Sequence, residues 1–192
     1  VVATSIRLLF APRVLALLLT GFFLFIGFLG MVTFLTYRLA APPFNFSSGE
    51  IGWISFAGIT ALIAPFAGNL SQKTGTHKIV LVGLLICLLS LQIMGWFPST
   101  IFTALGLLLL FLGVYTVQPL VFLIIGQSVS RESLGSASSM YILFCVGGGS
   151  LSSIFLGPIW QSYRWTGITI SSSLALLAST LIMSTIAIRE KR

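Results

Sequence analysis

Long apolar runs separated by short polar breaks organise the chain. The first covers about residues 14–39, preceded by Arg7, Pro12 and Arg13 and closed by Tyr37-Arg38 and the Pro42-Pro43 break. Pro12 sits where a helix start tolerates it, because the first N–H groups of a helix have no intrahelical bond to lose. A second run covers about residues 51–70 and opens with Ser47-Ser48-Gly49-Glu50. That is capping-box spacing: Ser47 accepts from the Glu50 amide while the Glu50 carboxylate reaches back to the Ser47 amide. The polar stretch 71–78 leads to a third run at about 79–97, and Pro98-Ser99 turns the chain into a fourth at about 101–126, with Pro119 inside it. Residues 127–135 carry Arg131 and Glu132 ahead of a fifth run at about 136–160, and 161–164 separate that from a sixth at about 167–188. A membrane helix needs about 20 apolar residues. The pattern therefore predicts an all-α membrane protein, one bundle of six transmembrane helices over residues 1–192.

Composition agrees. Of 192 residues, 57% are apolar and 7% charged, where a soluble domain carries about 25% charge. The mean hydropathy is +1.10. Soluble globular, disordered, coiled-coil and disulfide-rich secreted classes are excluded, since nothing here can form a charged skin. Cys87 and Cys145 both fall inside apolar runs, and their spacing fits neither a structural disulfide nor a metal site. No cofactor and no metal are expected. The chain opens Val1-Val2 without an initiator Met, so it is expected to be a piece or a trimmed product, with no cleavable signal peptide.

Ten Lys or Arg stand against Glu50, Glu132 and Glu190, a net charge of +7. The bases lie at the ends of the runs, with no interleaved aromatic or Gly-rich RNA motif, so topology and not nucleic acid explains them. With six spans, Arg7, Arg13, Lys73, Lys78, Arg131, Arg189, Lys191 and Arg192 share one side, against Arg38 and Arg164 on the other. The positive-inside rule then puts both termini in the cytoplasm.

The most informative stretch is Gly68-Asn69-Leu70-Ser71-Gln72-Lys73-Thr74-Gly75-Thr76-His77-Lys78. A tight link between antiparallel helices needs residues that tolerate unusual backbone angles, which Gly68 and Gly75 supply. Lys73 and Lys78 fall where lipid headgroups are anionic. A generic short basic loop would read the same way. The stretch resembles the loop signature of the major facilitator superfamily, roughly G-x-L-x-D-K/R-x-G-R/K-R/K-K/R. Gly68, Leu70, Lys73, Gly75, His77 and Lys78 fall on its positions; Gln72 replaces the usual Asp, and Thr76 stands where a base is common. In that family the loop helps latch one conformation against a facing helix, and Gln72 brings no charge to such a latch.

The resemblance extends along the chain. Tyr37-Arg38-Leu39, Pro42-Pro43-Phe44 and the segment 47–52 resemble the end of helix seven and start of helix eight in bacterial drug-or-metabolite efflux members. Segment 135–141, Gly147-Gly148-Gly149 and Gly157-Pro158-Ile159-Trp160 resemble helix eleven, and Trp165-Thr166-Gly167 the entry to helix twelve. An amino-terminal half of the proton-antiporter type would show an Arg in its fourth helix and Asp in the loop; neither is present. The resemblance therefore implies the carboxyl-terminal half of a twelve-helix fold, partnered by an amino-terminal half. It further implies that the first and fourth spans line a cavity, the second and fifth flank the other half, and the third and sixth face lipid.

Periodicity places Phe111, Tyr115, Gln118 and Phe122 on one face of the fourth span, with Gln118 about 7 Å from the span's midpoint. A mid-depth amide among rings is a ligand handle or an interhelical hydrogen bond. On the first span Phe23, Gly27, Gly30, Phe34 and Tyr37 form a stripe, readable as a cavity wall or as close helix packing. The fifth carries Ser138, Tyr141, Cys145, Gly148, Ser152 and Phe155 on one face, for packing against the missing half, with Tyr141 long enough to reach a cavity. Expected substrate contacts are thus Tyr115, Gln118, Phe122, Tyr141, Phe34 and Tyr37. An intramembrane enzyme is argued against, because no acidic residue or His lies within a run. The reading is half of a secondary transporter in the bacterial inner membrane, exporting a small organic molecule by proton antiport. A six-helix scaffold or channel-like subunit is the alternative.

Overall fold

The computed structural model describes residues 10–189, and every regular element in that range is helical. Arg7, Lys191 and Arg192, used above for topology, and Glu190, counted in the net charge, lie outside the described residues. The elements are α1 (Pro12–Ala40), α2 (Ser48–Gly52), a 3-10 segment (Trp53–Ile63), α3 (Ala64–Thr74), α4 (Thr76–Trp96), α5 (Thr100–Ser128), a 3-10 turn (Arg131–Ser133) and α6 (Leu134–Arg189). Five helical stretches are long and apolar enough to cross a membrane.

Helix α1 begins with Pro12 in its first turn and runs 29 residues, about 44 Å at 1.5 Å per residue. Leu17, Leu18, Leu24, Met31 and Leu35 are wholly buried along it. It packs chiefly against α6. Within the 56 residues of α6, Arg164 breaks the helix with φ 51° and ψ −141°. The first arm, 134–163, sets Tyr141 beside Gly21 and Leu156 beside Gly30. The second, 165–189, sets Leu176 beside Gly27, while the Ser179 hydroxyl donates to the Thr20 carbonyl at 2.9 Å. One arm therefore ascends with α1 and the other descends against it: the chain reverses at Arg164.

Glycines set the α1–α6 spacing. A Cβ at Gly27 would stand 2.9 Å from Leu176 Cγ, and one at Gly30 would run into Leu156. Of the two meanings offered for the α1 stripe, close packing describes these positions. The same holds for the fifth-run face. Tyr141, Cys145, Gly148 and Ser152 are buried, and Gly148 meets the Phe22 backbone. That face packs on α1 within this chain and is not left open for a missing half; only Phe155 is exposed.

Helices α4 and α5 form an antiparallel pair, with Gly83 against Val117 and Gly106 against Met94. α4 also runs antiparallel to the second arm of α6: Gly95 meets Thr169, and the Gln92 amide donates to Ser173 Oγ at 2.8 Å.

The run at 51–70 departs from a single α-helix. Its cap forms as the spacing predicts, with Ser47 N–H donating to Glu50 Oε2 at 2.8 Å and the Glu50 amide to Ser47 Oγ at 3.4 Å. The α-helix then lasts five residues before eleven of 3-10 geometry. Pro65 in the first turn of α3 has no N–H to give residue 61, so the α-ladder cannot pass through it. The 3-10 segment packs chiefly on α5.

Candidate functional site

The α5 residues Tyr115, Gln118 and Phe122 lie on the side away from its buried face of Gly113, Val117, Leu120 and Val121. Tyr115 is half-buried, its ring 5.8 Å from Phe111, and Phe111 stands edge-on to Phe28 at 5.0 Å. Its hydroxyl approaches the 3-10 segment at Gly58. Phe122 is exposed and edge-on to Tyr141 at 6.0 Å. Gln118 is half-buried between them and makes no side-chain hydrogen bond among the described residues. The interhelical bond, the alternative role for this amide, is therefore not made among the described residues.

Tyr141 differs from expectation. It is 1% exposed, its ring against Gly21 and its hydroxyl without a hydrogen-bond partner among the described residues. It supports the Phe122 ring from inside the core and does not project into an open space.

Phe34 and Tyr37 belong to a different place. Their rings are 5.8 Å apart and cluster with Trp160, at 5.6 Å from Phe34 and 6.3 Å from Tyr37. Phe28 is level with Phe111. Phe34 lies six residues up α1 from that level and Gln118 seven down α5, a separation of about 20 Å along the bundle. The six expected contact residues therefore form two sites, an α5 face with Tyr141 behind it and an aromatic cluster near the end of α1.

Beside that cluster is a junction the sequence reading missed. The Arg38 guanidinium lies 4.3 Å from the Trp165 ring centroid and 5.4 Å from that of Phe44. Both Arg38 Nη1 and Trp165 Nε1 donate to the Met94 carbonyl, at 2.6 and 3.1 Å. Met94 sits in the last turn of α4, where carbonyls lack helical partners and a cation is favoured. The available signal was one Arg closing the first run and one Trp opening the sixth. Neither names the third helix they meet on.

In the loop stretch, Gly75 takes φ 100°, a conformation L side chains rarely adopt, and its N–H closes α3 by donating to the Ser71 carbonyl at 2.9 Å. Gly68 needs no such freedom: it lies with Leu70, Gln72 and Lys73 inside α3, in ordinary helix. The loop contracts to a single residue, because α3 runs to Thr74 and α4 begins at Thr76 with His77 and Lys78 in its first turn. Gln72 and Lys73 are exposed, and Gln72 has no side-chain hydrogen bond among the described residues. Gln92, expected to face lipid, is half-buried; besides its bond to Ser173 it accepts from Trp96 Nε1 at 2.9 Å. Among the described residues no cluster of His, Cys, Asp or Glu could hold a metal ion.

Long apolar helices packed through glycines define a multi-pass membrane protein. The sequence pattern of the Major Facilitator Superfamily matches residues 1–153, and the chain belongs to that family. It is 28% identical over 172 residues to an uncharacterized transporter of Buchnera aphidicola subsp. Schizaphis graminum (strain Sg), covering 89% of this chain and 41% of that protein. It is 33% identical over 171 residues to the uncharacterized transporter YgaY of Escherichia coli O157:H7, covering 85% of this chain and 42% of that protein. The chain thus spans about two-fifths of the length of these curated relatives. No solved structure matches it.

Proposed function

We propose that this chain is the carboxyl-terminal half of a secondary transporter that exports a small organic molecule from the bacterial inner membrane by alternating access and proton antiport. In this reading the two arms of α6 count as separate spans, giving six with both termini cytoplasmic. The observation that carries it is Gln118: an amide at mid-depth, half open, unpaired among the described residues and flanked by Tyr115 and Phe122. An amide left so is costly unless something else satisfies it. A ligand with one hydrogen-bonding group and an apolar body fits, the rings supplying apolar contact and the amide fixing orientation.

The amino-terminal half is the partner that completes the cavity. Supporting this, Trp53, Phe56, Ile59 and Leu62 are all more than 60% exposed and recur every third residue. In 3-10 geometry such residues eclipse one another and form a straight ridge. The proton-carrying group belongs to that other half, since no carboxylate or His lies in the apolar stretches of this chain.

In the full-length protein, Gln118→Leu should weaken substrate binding by about 0.5–1.5 kcal/mol, the worth of one hydrogen bond, roughly a two- to tenfold rise in Kd. The thermal midpoint should stay put. Unchanged affinity with a lowered midpoint would return Gln118 to a packing role and move the site elsewhere.

A further inference from the structure

One cavity lies away from the face assigned to transport, at the end of the bundle where α4 begins and α6 finishes. It measures about 470 Å³ and is walled by His77, Lys78 and Leu81 on one side and Ser184, Ala187 and Ile188 on the other. The pairing is an antiparallel register: Gln92 meets Ser173, and eleven to fifteen residues away along each helix these walls face one another. By that register His77 and Lys78 lie level with Ala187 and Ile188 at the outer end, and Leu81 lies level with Ser184 one turn deeper. Lys78 is exposed and makes no ion pair among the described residues. Toward the middle of the membrane both helices continue with exposed apolar residues, Val82, Leu85 and Leu89 on α4 and Leu177 and Leu181 on α6.

We infer that this cavity seats one anionic phospholipid, its phosphate against Lys78 and His77 and an acyl chain along the apolar side chains of α4 and α6. Charge decides the class. With a chain charge of +7 and both carboxylates of the described range, Glu50 and Glu132, in other elements, the rim selects anions. The exposed apolar side chains that continue inward from it on α4 and α6 select an anion that carries a hydrocarbon chain over a soluble one. Basic pockets between membrane helices recognise acidic headgroups by this combination, each Lys near the surface being worth about fivefold in affinity. The inference rests on membership of a membrane family and not on the transport reading, so its failure would leave that reading intact.

The test counts lipids retained by the purified full-length protein in detergent, by native mass spectrometry. Phosphatidylglycerol is compared with phosphatidylcholine of the same chains, with inorganic phosphate as competitor. Phosphatidylglycerol should be retained preferentially and resist phosphate. Lys78→Gln should weaken its retention about fivefold, Lys78→Arg should restore it, and Lys73→Gln, on the exposed side of α3, should leave it unchanged. Lys78 is exposed, so these changes leave packing intact, and an unchanged thermal midpoint checks that. Equal retention of phosphatidylcholine would reduce the cavity to an apolar groove. Displacement by phosphate would make it a soluble-anion site, and an equal loss in Lys73→Gln would assign the effect to diffuse surface charge. Any of these overturns the proposal.

Discussion

Two glutamines, both inside apolar helices, have opposite fates. Gln92 spends both ends of its amide within the chain, donating to Ser173 and accepting from Trp96. Gln118 spends neither among the described residues. Gln92→Leu should therefore lower the thermal midpoint, by the roughly 0.6–1.7 kcal/mol that a membrane interhelical bond is worth, while substrate affinity is unchanged. Thermal unfolding in detergent together with a binding isotherm separates it from Gln118→Leu, for which the two effects exchange. Hydropathy alone could not make this distinction, since both residues read as one polar position in an apolar run. Only the partner distinguishes them, and Ser173 is 81 positions away in sequence. Tyr141 shows the same limit. Its place on a small-residue face was legible, but not that α1, through Gly21, would enclose it.

At the scale of elements, signals carried by neighbouring residues were read well. The Ser47–Glu50 cap forms as its spacing predicts, and the polar stretch 161–164 does contain the break, at Arg164. The hydroxyls of Thr180 and Ser184 in the sixth run bond carbonyls of their own helix, at 2.7 and 2.8 Å. The 3-10 segment was not foreseen, because hydropathy over 51–70 does not separate 3.0 from 3.6 residues per turn when nearly every side chain is apolar. The loop before α4 was read as two flexible glycines where the chain needs one. Gly75→Ala places a Cβ at φ 100° and should cost about 1–3 kcal/mol of stability. Gly68→Ala, in regular helix with nothing within 4 Å of the new methyl, should be neutral or stabilise by up to about 1 kcal/mol. Thermal midpoints of the two variants measure both; equal loss in each would mean that the stretch does not turn at Gly75.

For the whole molecule, orientation follows from charge, and charge is carried by the ends of the elements. Lys73 and Lys78 flank the α3–α4 turn, Arg131 precedes α6, and Arg13 and Arg189 lie in the first turn of α1 and the last of α6. These two arginines wall one cavity of about 370 Å³, so the two ends of the described chain share one side of the bundle. On the opposite side Arg38 is held by Met94 and Trp165, and Arg164 lies 6.0 Å from the Trp160 ring. The positive-inside rule predicts that the side with more bases is the cytoplasmic one. The two lone arginines opposite are each placed over an aromatic ring, where a cation is stabilised near a membrane surface. Single-cysteine variants of the full-length protein in intact cells should accordingly be labelled by an impermeant maleimide between positions 42 and 48. Between positions 71 and 78 labelling should appear only after the cells are opened. Labelling of Gln72→Cys, at an exposed position near the end of α3, in intact cells would invert the protein, and with it the placing of Lys78 on the cytoplasmic side.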